Sequence, residues 1–194
     1  MNTQPLHFYL NDKNIYVALI QINLLFKSDL IESTVCQAYK NANVIKHVQA
    51  AIINNIEISE HSENSDSDKK NECIKNMLVL LTRLCYSKNE NYFAVNLDTE
   101  LIVSLLSKKS EDIQKYSLDI LIQIAIQNPN AAANLIKSES LLNCIESHTK
   151  KVILLMSMIP SKRKELQTWL KNNEITADKD ENLTKLCNKF LSAI

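Results

Sequence analysis

The chain has 194 residues, of which 45% are apolar and 23% are charged, and this length suits one domain with a sizeable core. Its 22 basic and 22 acidic side chains cancel, so the net charge favours neither nucleic acid nor a membrane as partner. The sequence has no glycine, which excludes Walker loops, dinucleotide fingerprints and Gly-x-Ser-x-Gly nucleophile elbows, because each of these needs glycine at a tight turn.

The compartment is predicted from the cysteines and from the absence of a targeting pattern. The chain has five cysteines, the first of them Cys36, and no two have CxxC spacing. The other four lie among apolar neighbours, so reduced core thiols are expected rather than a disulfide framework: Cys73, Cys85, Cys144 and Cys187. The first residues lack a basic start and a long apolar segment, and the apolar stretch 152–160 is too short to span a bilayer. These features predict an intracellular protein, cytoplasmic or alternatively nuclear.

The N-terminal part is predicted to be helical up to an acidic loop. Residues 1–12 are predicted as a tail, and residues 13–56 as an N-terminal helical portion with helices over 13–27, 30–41 and 43–56. Residues 57–70 carry five acids, four serines and one apolar side chain, a composition that cannot offset its ordering entropy, so we expect a disordered loop. Within it Ser65 precedes two aspartates and is a possible phosphosite for an acid-directed kinase.

Residues 71–173 contain an internal repeat. The segment MLVLLTRLCYSKNENYFAV (77–95) aligns at an offset of 40 with SLDILIQIAIQNPNAAANL (117–135), and a shortened third copy follows at an offset of 34 over 154–170. Each unit predicts a long helix that ends near Asn128 or its equivalent, a short helix for which Pro129 suits the first turn, and a third helix. A unit this small cannot bury its apolar face alone, so we expect stacked neighbours to cover it.

The segment TELIVSLLSKKSEDIQKYSLDILIQIAIQNPNAAANLIKSESLL (99–142) resembles an armadillo repeat, with its leucine pair, polar turn, acidic residues, long helix and Asn-Pro. The resemblance covers about 71–160 best. It implies an all-α, right-handed superhelical solenoid without β-sheet, and a non-catalytic adaptor or scaffold that binds a partner protein on the concave face of the long helices. It implies no cofactor.

The resemblance also identifies candidate partner-binding positions. The family's asparagine ladder, which pairs with the backbone of an extended peptide, is replaced at the matching positions by Arg83, Gln123 and Ser157. Gln123 can still pair with a backbone amide, whereas Arg83 favours a carboxylate or phosphate. The alternative interpretation is that all three are solvated side chains on a groove wall.

A basic cluster supplies an alternative function. Its members are Lys150, Lys151, Lys162, Arg163, Lys164 and Lys171. The cluster is a candidate surface for an acidic protein, nucleic acid or an anionic lipid. Aromatic residues do not interleave with it except for Trp169, so stacking on bases is poorly supported. The alternative without a binding role is that these residues form the two solvated ends of one buried helix. The acidic loop is a candidate to fold back and cover the basic cluster within the same chain.

The remaining chemistry is sparse. Cys144 and His148 lie four residues apart on a predicted helix, but zinc sites need three or four ligands, so we predict no metal site and place His148 near a helix C-terminus. Acidic pairs fall where helices begin and suit caps, so no catalytic residue is predicted. Residues 174–194 are predicted as a loop and a capping helix with one apolar stripe: Leu183, Leu186, Cys187, Phe190, Leu191 and Ile194.

Overall fold

A computed structural model describes residues 37, 40–41, 43–60, 67–86, 92–136 and 138–172. Every regular element in these ranges is helical and none of them is a strand, which confirms the predicted all-α class for this part of the chain. The helix predicted over 13–27, most of that over 30–41, the candidate phosphosite Ser65 and the C-terminal segment 174–194 lie outside the described residues.

The described elements, in chain order, are nine α-helices and two 3₁₀ helices: α1 (Val44–Glu60), α2 (Ser67–Cys85), α3 (Tyr92–Val95), α4 (Thr99–Ser104), η1 (Leu105–Ser107), α5 (Glu111–Gln127), α6 (Pro129–Leu135), α7 (Ser138–Leu142), α8 (Ile145–Met158), η2 (Pro160–Lys162) and α9 (Arg163–Asn172). Helix α1 continues to Glu60 and α2 begins at Ser67, so both ends of the predicted acidic loop are helical. The prediction of disorder is corrected for 57–60 and 67–70.

Helix α5 shows how the sequence sets its boundaries. The Ser110 side chain caps its start by accepting a hydrogen bond from the Ile113 amide at 3.4 Å, and two acids follow in the first turn, where they favour the helix dipole. The helix stops at Asn128 because the next residue, Pro129, disfavours helical backbone in the residue before it. The prediction of a long helix ending near Asn128 and a short helix starting at Pro129 is confirmed.

The long helices pack in series, with α5 in the centre. Helix α1 packs on α2, α2 on α5, α5 on α8 and α8 on α9, while the short helices α3, α4 and α6 also contact α5. The side chains of Leu81 on α2, Leu121 on α5 and Leu155 on α8 have no exposed surface. Burial of such side chains stabilises each interface by roughly 1.5–3 kcal/mol per residue, so the helices hold one another in place as sequential neighbours.

The second and third repeat units differ just before their long helices, which are α5 and α8. In the second unit, residues 108–110 separate η1 from α5. In the third unit the corresponding break is within α8 at His148 alone, whose backbone is non-helical with φ −135° and ψ 38°. The His148 ring nitrogen Nε2 lies 3.1 Å from the carbonyl oxygen of Glu111. His148 therefore lies at a break within α8 where one helix ends and the next begins, in agreement with its predicted place near a helix C-terminus, and this contact ties the break to the start of α5.

Two serines on either side of the α5 N-terminus give the first prediction. Ser117 is fully buried and its hydroxyl has no hydrogen-bond partner among the described residues, whereas the Ser110 hydroxyl caps the helix. Ser117→Ala should raise the free energy of unfolding by about 1 kcal/mol, because it removes a desolvated, unpaired hydroxyl. Ser110→Ala should lower it by about 1 kcal/mol. Urea unfolding measures both, and a loss of stability in Ser117→Ala would contradict the assignment.

Candidate partner-binding face

The three residues predicted as partner-binding occupy corresponding places on the long helices. Arg83 is exposed in the last turn of α2, and Gln123 and Ser157 are half-buried near the ends of α5 and α8. Because α2 packs on α5 and α5 packs on α8, the three positions lie on successive neighbouring helices. The structure thus agrees with the repeat register that selected them, and their role as ladder equivalents stays a prediction.

Ion pairs join α5 to both of its long neighbours, α2 and α8. The Lys75 ammonium on α2 lies 3.3 Å from a carboxylate oxygen of Asp112 on α5 and 2.9 Å from one of Glu72. Its hydrogen bonds to Glu72 and Asp112 raise the pKa of Lys75 above its ordinary value. On the other boundary Lys151 on α8 pairs with Asp119 on α5. These pairs mark where the outward-facing edge of each helix meets that of its neighbour.

Residues a whole number of turns after these paired charges lie on the same face of α2 or α5 as the charges do. Three turns of α-helix take about 11 residues, and Tyr86 and Gln123 lie 11 residues after Lys75 and Asp112 respectively. Two turns take about seven residues, and Ile126 lies seven residues after Asp119. The paired charges therefore occupy one part of this surface, and the ends of α2 and α5 present a tyrosine, an amide and an isoleucine beyond them.

Three large apolar side chains at or near the ends of these helices are exposed to solvent. Tyr86, immediately after α2, is 52% exposed, Ile126 on α5 is 54% exposed and Leu154 on α8 is 39% exposed. We call the following set the end row: Arg83, Tyr86, Gln123, Ile126, Leu154 and Ser157. Sequence reasoning missed its apolar members, although the offset of 40 places Tyr86 over Ile126. A search of the repeat for matched apolar residues outside the buried register would have found this pair.

Ser157 joins the end row to the basic cluster. Its hydroxyl donates to the carbonyl oxygen of Leu154 at 2.7 Å, and its own carbonyl oxygen accepts a hydrogen bond from Nε of Arg163 at 2.8 Å. This second bond holds the Arg163 guanidinium against the end of α8. Ser157, a predicted groove position, and Arg163, a member of the basic cluster, are therefore in direct contact.

The other basic residues differ in their contacts and in their exposure. Lys151 pairs with Asp119, and the Lys162 ammonium lies 3.6 Å from a carboxylate oxygen of Glu165. Lys150, Lys164 and Lys171 are exposed. The charge of two of the six residues is thus compensated locally, which weakens the cluster as a uniform surface for polyanions.

The thiols are poor candidates for metal binding or nucleophilic chemistry. Cys144 is buried and its Sγ lies 3.4 Å from the carbonyl oxygen of Leu106, to which it donates. Burial raises the pKa of Cys73 and Cys144, and it raises the pKa of Cys85 to about 12. Because metals and electrophiles react with the thiolate, these environments oppose both uses. Within the described ranges no group of three or more histidine, cysteine or acidic residues has an arrangement suited to a metal ion.

No family model, no curated protein and no solved structure matches the chain. Among the helices that the structure describes, none combines the length and the apolar character needed to cross a membrane.

Substitution of the ion pair between Lys151 and Asp119 distinguishes a structural role of Lys151 from a role in binding anions. The Asp119 side chain is only 16% exposed, so Lys151→Gln leaves a largely buried carboxylate without its cation. We expect the free energy of unfolding to fall by about 1–2 kcal/mol, less than for a fully buried pair because water still reaches both groups. The double variant Lys151→Gln/Asp119→Asn should recover part of this loss. Lys164→Gln, at an exposed lysine of α9, should change stability by less than about 0.5 kcal/mol, and equal effects of the two lysine variants would contradict the structural role.

Thiol labelling tests the buried environments directly. At pH 8 a thiol with a pKa near 12 is ionised only to about one part in 10⁴, so Cys85 in the native chain should resist iodoacetamide. Cys73 is half-buried and should be modified faster than Cys85 or Cys144. Mass spectrometry of the digested protein resolves each site, and labelling in urea provides the unfolded control. Modification of native Cys85 at the rate of Cys73 would contradict the prediction.

Proposed function

We propose that this chain is a non-catalytic adaptor or scaffold with an armadillo-like α-solenoid fold, and that it binds a segment of a partner protein across the end row. The observation that carries the proposal is the series of exposed apolar side chains, Tyr86, Ile126 and Leu154, on helices that pack as successive neighbours. Large apolar side chains that are left exposed together are typical of protein-binding surfaces.

The polar members of the end row suit recognition of a peptide. The exposed Arg83 offers a guanidinium that binds carboxylates in a bidentate manner, and the half-buried Gln123 amide has both a donor and an acceptor for a peptide backbone. The armadillo resemblance supports the same role, because the matching positions of that family face its peptide ligand. An intracellular location accords with the free thiols Cys73, Cys85 and Cys144.

The alternative function, binding of nucleic acid or anionic lipid by the basic cluster, has less support. Lys151 and Lys162 are paired with acids, and Arg163 is hydrogen-bonded to the end of α8. A polyanion surface of this kind would depend on Lys150, Lys164 and Lys171. Its binding would weaken steeply as salt concentration rises, whereas an apolar interface would not.

A pair of surface substitutions tests the proposal. Tyr86→Ser/Ile126→Ser should weaken binding of a stoichiometric protein partner, isolated from a nuclease-treated native lysate, by at least about 30-fold, because two apolar anchors contribute about 1–2 kcal/mol each. The helical circular dichroism should stay unchanged. The matched control is Val95→Ser on the short helix α3, which removes a side chain that is 68% exposed but lies off the long helices.

The same purification distinguishes the alternative. A partner that is retained by the Tyr86/Ile126 variant but released by moderate salt, or by Lys164→Glu/Lys171→Glu, would transfer the function to the basic cluster. Recovery of the same partner on all variants would show that neither surface binds it.

A further inference from the structure

We infer that the partner segment recognised by the end row carries one acidic side chain at the end of its apolar stretch that lies over α8, and that Arg163 binds this carboxylate. This inference rests on the proposed function and specifies the chemistry of its ligand. The sequence groups Arg163 with the basic cluster, whereas its contact with Ser157 places it beside the end row.

One hydrogen bond holds the Arg163 guanidinium in place. Its Nε donates to the Ser157 carbonyl oxygen at 2.8 Å, in the last turn of α8. A guanidinium has five N–H groups in a planar fork, and this bond uses one of them. Arg163 is exposed, and it makes no ion pair with any residue that the structure describes. The remaining N–H groups can therefore bind a carboxylate in a bidentate manner.

The elements that meet at this guanidinium contribute basic side chains and almost no acids. Helix η2 contacts α6, α8 and α9, and the sequence contains no acid in 120–138 or 147–164, ranges that include α6, η2 and the adjoining ends of α5 and α8. On α9 a carboxylate oxygen of Glu165 lies 3.6 Å from the Lys162 ammonium, while Lys164 is exposed. Among the described residues, this end of the row thus has a net positive charge, which complements an acidic group on the ligand.

The apolar members of the end row follow on one side of this cation, because the long helices pack in the order α9, α8, α5 and α2. Leu154 is on α8 itself, one turn before the cation's contact with Ser157. Ile126 on α5 and Tyr86 after α2 come next, at steps of about 8–10 Å between neighbouring helix axes. The ligand is thus an acid followed by an apolar stretch of about six residues, which spans roughly 16–20 Å when extended.

Peptides selected against the full chain test this inference. From a displayed library of random 12-residue peptides we expect an apolar stretch with Asp or Glu on one side of it, the same side in each peptide. Synthetic copies with an amidated C-terminus, which leaves the side chain as the acid measured, should bind at least about tenfold more weakly to Arg163→Glu. Replacing the peptide's acid with lysine should weaken binding to the native chain and restore binding to Arg163→Glu.

Three further variants separate binding by Arg163 from a purely structural role at the end of α8. Arg163→Lys keeps the charge and should retain most of the affinity, with circular dichroism confirming the helices. Lys69→Glu on α2 and Lys171→Glu on α9, both exposed, make the same change of charge. Lys171 lies eight residues, about 12 Å along the helix, after Arg163, so both controls should leave affinity unchanged.

The Tyr86→Ser/Ile126→Ser variant distinguishes failure of this inference from failure of the proposed function. Selected peptides that lack the acid, or whose lysine exchange does not restore binding to Arg163→Glu, but that still lose binding in Tyr86→Ser/Ile126→Ser would overturn the inference and leave the proposed function standing. Peptides that are insensitive to the double variant, or a library that yields no specific peptide, would overturn both.

Discussion

The structure depends on the burial of α5 between two other long helices. Its apolar side chains Leu118, Ile120 and Leu121 have no exposed surface, because α2 and α8 pack on it and short helices cover much of the remainder. A helix with so many neighbours keeps only a narrow strip in contact with solvent. The ion pairs to Lys75 and Lys151 occupy one part of that strip, and under the proposed function the part that includes Gln123 and Ile126 contacts the partner.

The absence of glycine limits how the helices can be joined. Helix ends that would use glycine in a left-handed conformation must use other residues, and among the described residues Asn43 alone has a positive φ, 51°. Elsewhere Pro129 ends one helix and begins the next, and Asp98 caps α4 while its amide donates to Gln49 of α1 at 2.6 Å. Breaks of this kind are short and involve hydrogen bonds, which suits a rigid array of helices.

The parts of the fold that follow from local chemistry could be predicted from the sequence. The apolar register and the Asn-Pro step placed α5 and the start of α6 correctly. The acidic loop was predicted too long, because composition cannot show that Glu60 and Ser67 are held in helices whose apolar faces pack together. The kink at His148 also required the structure, since it depends on a contact with Glu111, 37 residues earlier.

The candidate site was predicted only in part, and for a physical reason. The alignment of the repeat units selected Arg83, Gln123 and Ser157. An alignment shows which positions correspond, but it does not show which side chains are exposed. Tyr86 and Ile126 are apolar, and an apolar residue in a helical repeat is expected in the core until packing shows otherwise. Sequence neighbours within the basic cluster also make different contacts that the sequence could not show: Nε of Arg163 donates to the end of α8, whereas the adjacent Lys162 pairs with Glu165.

Several reactive groups of the described residues take part in the packing and hydrogen bonding of the fold. Burial raises the pKa of the thiols, Asp119 pairs with Lys151, and His148 Nε2 lies within hydrogen-bond distance of a backbone carbonyl oxygen. The end row combines the exposed side chains of Tyr86, Ile126 and Leu154 with the Arg83 guanidinium and the half-buried Gln123 amide. Under the proposed function these groups act by complementarity with a second surface, which requires that they be held in register. A series of long helices packed on one another, joined by short turns without glycine, provides that register.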